Sequence, residues 1–186
     1  MQLLRESGLA RLTTRKIAER IGFTEGAFFR HFPTKQALLL RLMDKLEEML
    51  LGPIQAMAAD STLDLTERLQ RIIGHHIRLV REQDSLPILL LAEASASGDK
   101  ALLKRMRAIM DKYRRILVDL IQEGRSGRKP AQRSQIECVA LGLIGLPAVL
   151  AIQHRLHPDP RFENQFEKRF APWAIELLTR AANTTP

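Results

Sequence analysis

The chain has one cysteine in 186 residues, Cys138. A disulfide framework within one chain is therefore impossible, and so is a zinc cluster built on cysteine. A reducing, cytoplasmic setting is the expectation that follows. Strand signals are absent too, with no Asn-Gly or Asp-Gly hairpin and no long alternation of β-branched residues. The longest apolar stretch, residues 136–152, is interrupted by Glu137, Gly142, Gly145 and Pro147. It reads as a core or interface helix rather than a membrane span, so no membrane partner is expected, and no signal peptide is visible. Enzyme signatures are missing as well. No phosphate-binding loop, zinc-protease His pair, nucleophile elbow or dinucleotide glycine pattern occurs, so no residue is assigned to catalysis. His75 and His76 are neighbours that diverge by about 100° on a helix, so they cannot chelate one metal together. His154 and His157, near a helix end, suit the helix dipole better than a metal. No metal and no cofactor are expected. Ser85, Ser95 and Ser97 read as loop and capping residues.

What the chain does have is helical spacing. Leu38, Leu39, Leu42, Met43, Leu46, Met49 and Leu50 recur every three or four residues and predict a long amphipathic helix that ends or kinks at Gly52-Pro53. Further helices are expected over residues 65–82, 86–96, from a cap at Asp99 onward, 133–156 and 160–182. The 86–96 segment is apolar nearly all round, the mark of a buried helix. Residues 124–130 read as a loop. Pro172 is expected to kink or break the last helix. Formal net charge is +8. That favours nucleic acid or an anionic surface without deciding which. Residues 1–35 hold seven Lys or Arg against three Glu. A second basic stretch, residues 104–133, reads as a solvated helix face and loop.

Residues 13–35 encode two short helices and a tight turn. Thr13 caps the first, Ile17, Ala18 and Ile21 share its apolar face, and Gly22 stops it. Thr24 caps the second, which carries Phe28, Phe29 and Phe32 before Pro33, and Thr34 with Lys35 starts another helix. This is a helix-turn-helix pattern, whose second helix can lie in the DNA major groove. The spacing of Gly8, Thr13, Ile17, Ala18, Gly22, Thr24, Gly26, Phe29, His31, Phe32, Lys35 and Leu38 resembles the DNA-binding domain of TetR-family transcriptional regulators, over about residues 3–50. Two departures stand out. The family usually has Tyr where this chain has Phe29, and the first helix is short because the chain opens at Met1-Gln2-Leu3-Leu4. Gly26 and Ala27 are small enough to let the backbone approach bases and to meet a thymine methyl. Glu25 can accept from a cytosine amino group or simply favour a helix N-terminus. Arg30 has the reach for guanine or phosphate. His31 and Lys35 match the family's phosphate-contacting positions. The helix starts near Thr13 and Thr34 suit phosphate, and Thr14 and Arg15 are placed to clamp the backbone. Thr24 caps the reading helix, Phe29 is either core or DNA-facing, and Phe32 is core.

Glu93 lies in an otherwise apolar helix. It needs either an ion pair with an Arg or a role as polar anchor in an effector pocket. His76, Met106, Met110, Tyr113 and Leu117 fall on inner stripes that either pack as plain core or line an adaptable apolar pocket with it, for a hydrophobic or cationic molecule. Ala140, Gly142, Gly145 and Ala148 thin one helix, and Phe162, Phe166 and Trp173 bulk out the next. The resemblance implies that these last two helices pair with their two-fold mates in a four-helix bundle. The expected fold is all-α, with a helix-turn-helix head over residues 1–50 and a helical effector-binding and dimerisation body over residues 51–186. The expected function is a sequence-specific DNA-binding regulator. A ligand-responsive repressor, acting as a homodimer on double-stranded palindromic DNA and answering to an unknown small-molecule effector, fits best. The alternatives are a DNA-binding protein with a non-transcriptional task and a helical small-molecule module that has lost DNA binding.

Overall fold

Short polar residues placed just before apolar stripes set the helix starts. Thr34 Oγ1 accepts from Ala37 N at 3.0 Å. Asp64 and Glu67 form a reciprocal capping box. Asp99 accepts from the backbone N–H groups of Ala101 and Leu102. The computed structural model describes residues 32–125 and 132–181, and helices account for all the regular structure there. They are α1 (Lys35–Ala58), α2 (Leu65–Glu82), α3 (Leu86–Ser97), α4 (Lys100–Glu123), α5 (Arg133–Leu156), α6 (Pro160–Gln165), a π-helical turn (Phe166–Phe170) and α7 (Ala171–Ala181). Helices α1, α2, α4 and α5 pack around one core in which Met43, Ile54, Ile72, Ile77, Ile109, Tyr113 and Leu117 are fully buried.

Three expectations about prolines and burial need correction or refinement. Helix α1 does not end at Gly52-Pro53 but continues unbroken to Ala58. A proline removes the N–H that would have bonded the carbonyl four residues back, here Met49. That carbonyl instead accepts a 3.0 Å hydrogen bond from His75 Nε2 of α2. Gly52 also has no Cβ to crowd the Pro53 ring. A tertiary partner thus repairs the lesion that the local sequence predicts. Pro172 does perturb the last helix, but the disturbance lies before it. The turn at Phe166–Phe170 widens, with Ala171 N donating to Phe166 O, and α7 follows. Helix α3 is not buried all round. Leu86, Leu90 and Ala94 face inward while Leu91 is exposed, because α3 packs chiefly against α4 along one side.

Polar clamps fix the register of these helices. Arg105 of α4 forks between Asp44 and Glu47 of α1, and Lys112 also reaches Glu47. The Arg105 and Lys112 hydrogen bonds hold the Glu47 carboxyl below its usual range against the opposing pull of burial. Arg68 of α2 bonds both Ala58 O and Glu123 Oε1 at 3.0 Å, tying together three helix ends. At the opposite ends of α2 and α5, His154 Nδ1 lies 2.7 Å from Glu163 Oε1 and its Nε2 lies 3.4 Å from Asp84 Oδ1. Arg81 reaches Glu163 and Glu167 in the same cluster. His154 is therefore a structural bridge between α5, α6 and the α2–α3 turn. In that turn Asp84 and Ser85 both take left-handed backbone, φ 49° and 59°. Ser85 Oγ donates to Ala151 O at 3.0 Å, which holds the turn against α5.

Candidate effector cavity and association face

Five helices leave a partly open apolar cavity of about 80 Å³ between them. Leu46 and Leu50 of α1, Val80 of α2, Pro87, Ile88 and Leu91 of α3, Met106, Ile109 and Met110 of α4, and Ile144, Ala148 and Ala151 of α5 form its wall. Among the described residues His76 of α2 is the one polar side chain in the lining. Burial, helped slightly by the neighbouring His75, pushes its pKa down to about 3, so its imidazole is neutral near pH 7. Its Nδ1 has no hydrogen-bond partner among the described residues. Tyr113 stands beside it, ring centroids 5.4 Å apart, and its hydroxyl is also without a partner. Burial pushes the Tyr113 phenol well above its usual value. Two neighbouring buried polar atoms without partners, one of them on a side chain that lines a space, are unusual for a packed core.

Of the six residues expected to line an effector pocket, His76, Met106 and Met110 meet at this cavity. Tyr113 backs His76 without being in the lining, and Leu117 is fully buried in the core. Glu93 is elsewhere. Its carboxylate takes a 2.6 Å ion pair from Lys35 Nζ, so its partner is a lysine of α1 rather than an arginine. Beside this pair Gln36 Nε2 donates to Asp99 Oδ2 at 2.7 Å, so the first turn of α1 is clasped to the α3–α4 junction. Nothing in the sequence signals this pairing, because Lys35 and Glu93 stand 58 positions apart.

Lys35 is also the one described residue among the expected DNA contacts. Thr13, Thr14, Arg15, Thr24, Glu25, Gly26, Ala27, Phe29, Arg30 and His31 lie outside the described residues. Phe32 is half-buried against Leu38 and Leu42, in a small apolar cluster of its own at the start of α1.

A second feature lies along α5 and the C-terminal helices. Leu141, Val149, Ile152 and Leu156 follow helical spacing and are exposed, as are Phe162, Phe170, Trp173 and Leu177. Phe162, Phe166, Phe170 and Trp173 form a ladder with ring centroids 5.1–6.3 Å apart beside an open groove of about 500 Å³. The thin positions of α5 divide by face. Ala140 points into the core and Ala148 into the cavity. A Cβ at Gly142 would touch Leu178 at 3.3 Å, whereas one at Gly145 would meet nothing within 4 Å. The small residues therefore do several jobs, and the larger apolar residues between them make the exposed stripe. Free Cys138 is exposed on the same helix. By length and composition α5 could cross a membrane. In this fold it packs against α2, α4 and α7.

Residues 1–42 match the bacterial regulatory proteins of the tetR family. That segment of the chain is of TetR type. That match includes the first turn of α1, so the DNA-binding segment runs into the helix that walls the cavity. The chain is 28% identical over 132 residues to the nucleoid occlusion factor SlmA of Marinomonas sp. (strain MWYL1), across 70% of this chain and just under two thirds, 66%, of that relative. Its fold is similar to a tetR-family regulatory protein from Rhodococcus RHA1, with TM-score 0.75 and 20% identity over 100% of this chain and 93% of that one. It is similar also to the transcriptional regulator FadR of Bacillus subtilis, solved with stearoyl-CoA, with TM-score 0.71 and 17% identity over 98% and 93% of the two chains. The matched segment is accordingly that of a DNA-binding regulator of TetR type.

Proposed function

We propose that this chain is a ligand-responsive transcriptional repressor that works as a cytoplasmic homodimer on a near-palindromic operator. The observation that carries the reading is α1 itself. One continuous helix begins inside the matched DNA-binding segment and then contributes Leu46 and Leu50 to the cavity wall. A ligand that fills the cavity better when α1 is displaced shifts the population toward a head spacing that no longer fits DNA. The expected contacts divide by role. Gly26, Ala27, Glu25 and Arg30 approach bases, while Thr13, Thr14, Arg15, Thr24, His31 and Lys35 hold backbone phosphate, and Phe29 serves the DNA surface or the core beneath it. The exposed stripe of α5 and the aromatic ladder supply the association face, since exposed apolar patches of this extent mark interaction sites. Pairing through it sets two reading helices one DNA turn apart. That a FadR structure of the same fold holds stearoyl-CoA supports a small-molecule role for a body of this shape.

The test is a footprint on the promoter region beside the gene, paired with a reporter fused to that promoter. Repression predicts a symmetric protected site and a reporter that rises when the gene is deleted. A second reading is favoured by the relative named a nucleoid occlusion factor, namely DNA binding with a non-transcriptional task. It predicts protected sites spread along the chromosome and an unresponsive reporter. A chain that footprints nowhere would be left as a small-molecule-binding module.

A further inference from the structure

We infer that the cavity selects an uncharged, mainly apolar molecule carrying one hydrogen-bonding group, an alcohol or a ketone, with His76 as its polar partner. The inference rests on the reading of the cavity as the effector site and narrows it. Five helices contribute to the wall, yet among the described residues His76 alone brings nitrogen or oxygen from a side chain. The expected anionic anchor, Glu93, is held by Lys35 and does not line the space. A buried ammonium or carboxylate would therefore have no counter-charge, and an unpaired buried ion is strongly disfavoured. A cationic ligand is excluded on this ground.

A pure hydrocarbon is disfavoured for the opposite reason. The His76 Nδ1 atom and the neighbouring Tyr113 hydroxyl are buried without partners. A neutral imidazole offers one donor and one acceptor, so it can pair with a hydroxyl or a carbonyl. Size limits the ligand further. At about 80 Å³ the space is roughly half of a cavity known to take benzene, about 150 Å³. A short chain fits, and the flexible side chains of Met106 and Met110 allow modest widening. Met110 and Leu91 are 36% and 43% exposed, which places the mouth between α3 and α4. A longer molecule leaves its remaining length there.

The test titrates the full chain, labelled at the methionine methyl groups, with hexan-1-ol, hexanoate and hexylammonium at pH 7. The Met106 and Met110 signals are followed by NMR, with xenon as a probe of the space itself. Hexan-1-ol should shift both signals and bind about tenfold more tightly than either charged analogue. His76→Leu should lose that advantage while still taking xenon, and xenon uptake shows that the variant remains folded around its cavity. Equal or tighter binding of hexanoate or hexylammonium overturns the ligand class and leaves the regulatory reading standing. Absence of methyl shifts with every probe, xenon included, overturns it as well. Hexan-1-ol binding that leaves DNA affinity unchanged would uphold the ligand class and sink the effector reading.

Discussion

Tyr113 is fully buried, and its hydroxyl has no hydrogen-bond partner. Such a group costs about 1–3 kcal/mol in desolvation. Tyr113→Phe keeps the ring contact with His76 and should stabilise the fold by about 1 kcal/mol, read as a higher urea midpoint. A loss of stability would reveal a partner for the hydroxyl. His76 makes a pH prediction. Its folded pKa, about 3, lies below the ordinary 6.5, so the unfolded chain takes the proton first. Its contribution to stability is complete above pH 6.5 and is lost as pH falls from there toward 3, at up to about 1.4 kcal/mol per pH unit. Other groups titrate in the same range, so the quantity to compare is the slope of stability against pH in the natural chain and in His76→Leu. The variant should be flatter between pH 6 and 4, and matched slopes would mean that His76 is hydrated.

At the scale of elements, α1 depends on its neighbours for continuity and for its link to the body. His75→Ala leaves the Met49 carbonyl without the partner that replaces the missing Pro53 N–H. It should destabilise by about 1–3 kcal/mol, with the excess amide exchange concentrated around residues 49–53. Uniform exchange would place the repair elsewhere. The Lys35–Glu93 pair ties the first turn of α1 to α3. If Lys35 also serves phosphate, Glu93 competes with DNA for one ammonium. Glu93→Gln should then tighten DNA binding and steepen the plot of log K against log salt by up to about 0.9 per half-site. Lys35→Ala should make it shallower by a similar amount. A slope indifferent to both substitutions removes Lys35 from the DNA surface.

For the whole molecule, the question is what covers the apolar stripe of α5 and the aromatic ladder. Gly145 decides it cleanly. A side chain there meets nothing within 4 Å in the protomer, so Gly145→Arg should fold normally. If the face pairs with a second copy, the added charge is buried at the contact and disrupts it, giving monomers in sedimentation and weak operator binding. A variant that remains a dimer would place the interface elsewhere. By itself the sequence determined the elements. Helix periodicity gave α2 and α5 their limits, Asp99 gave α4 its start, and the spacing of residues 13–35 gave the TetR resemblance, because these signals are local and operate within one or two helical turns. Tertiary structure decided everything that depends on a partner distant in sequence. Pro53 breaks α1 on local grounds and does not break it once His75 arrives. Glu93 is an arginine's ion-pair partner or a pocket anchor on composition, and a clasp once Lys35 is beside it. The association face was only partly legible for the same reason. Helix α5 is apolar on several sides, and hydrophobicity alone cannot say which side the protomer's own core leaves uncovered. His76 on an apolar stripe was visible in the sequence. That it stands without a partner beside a space follows from the packing of five helices, a property of their assembly and not of any one of them.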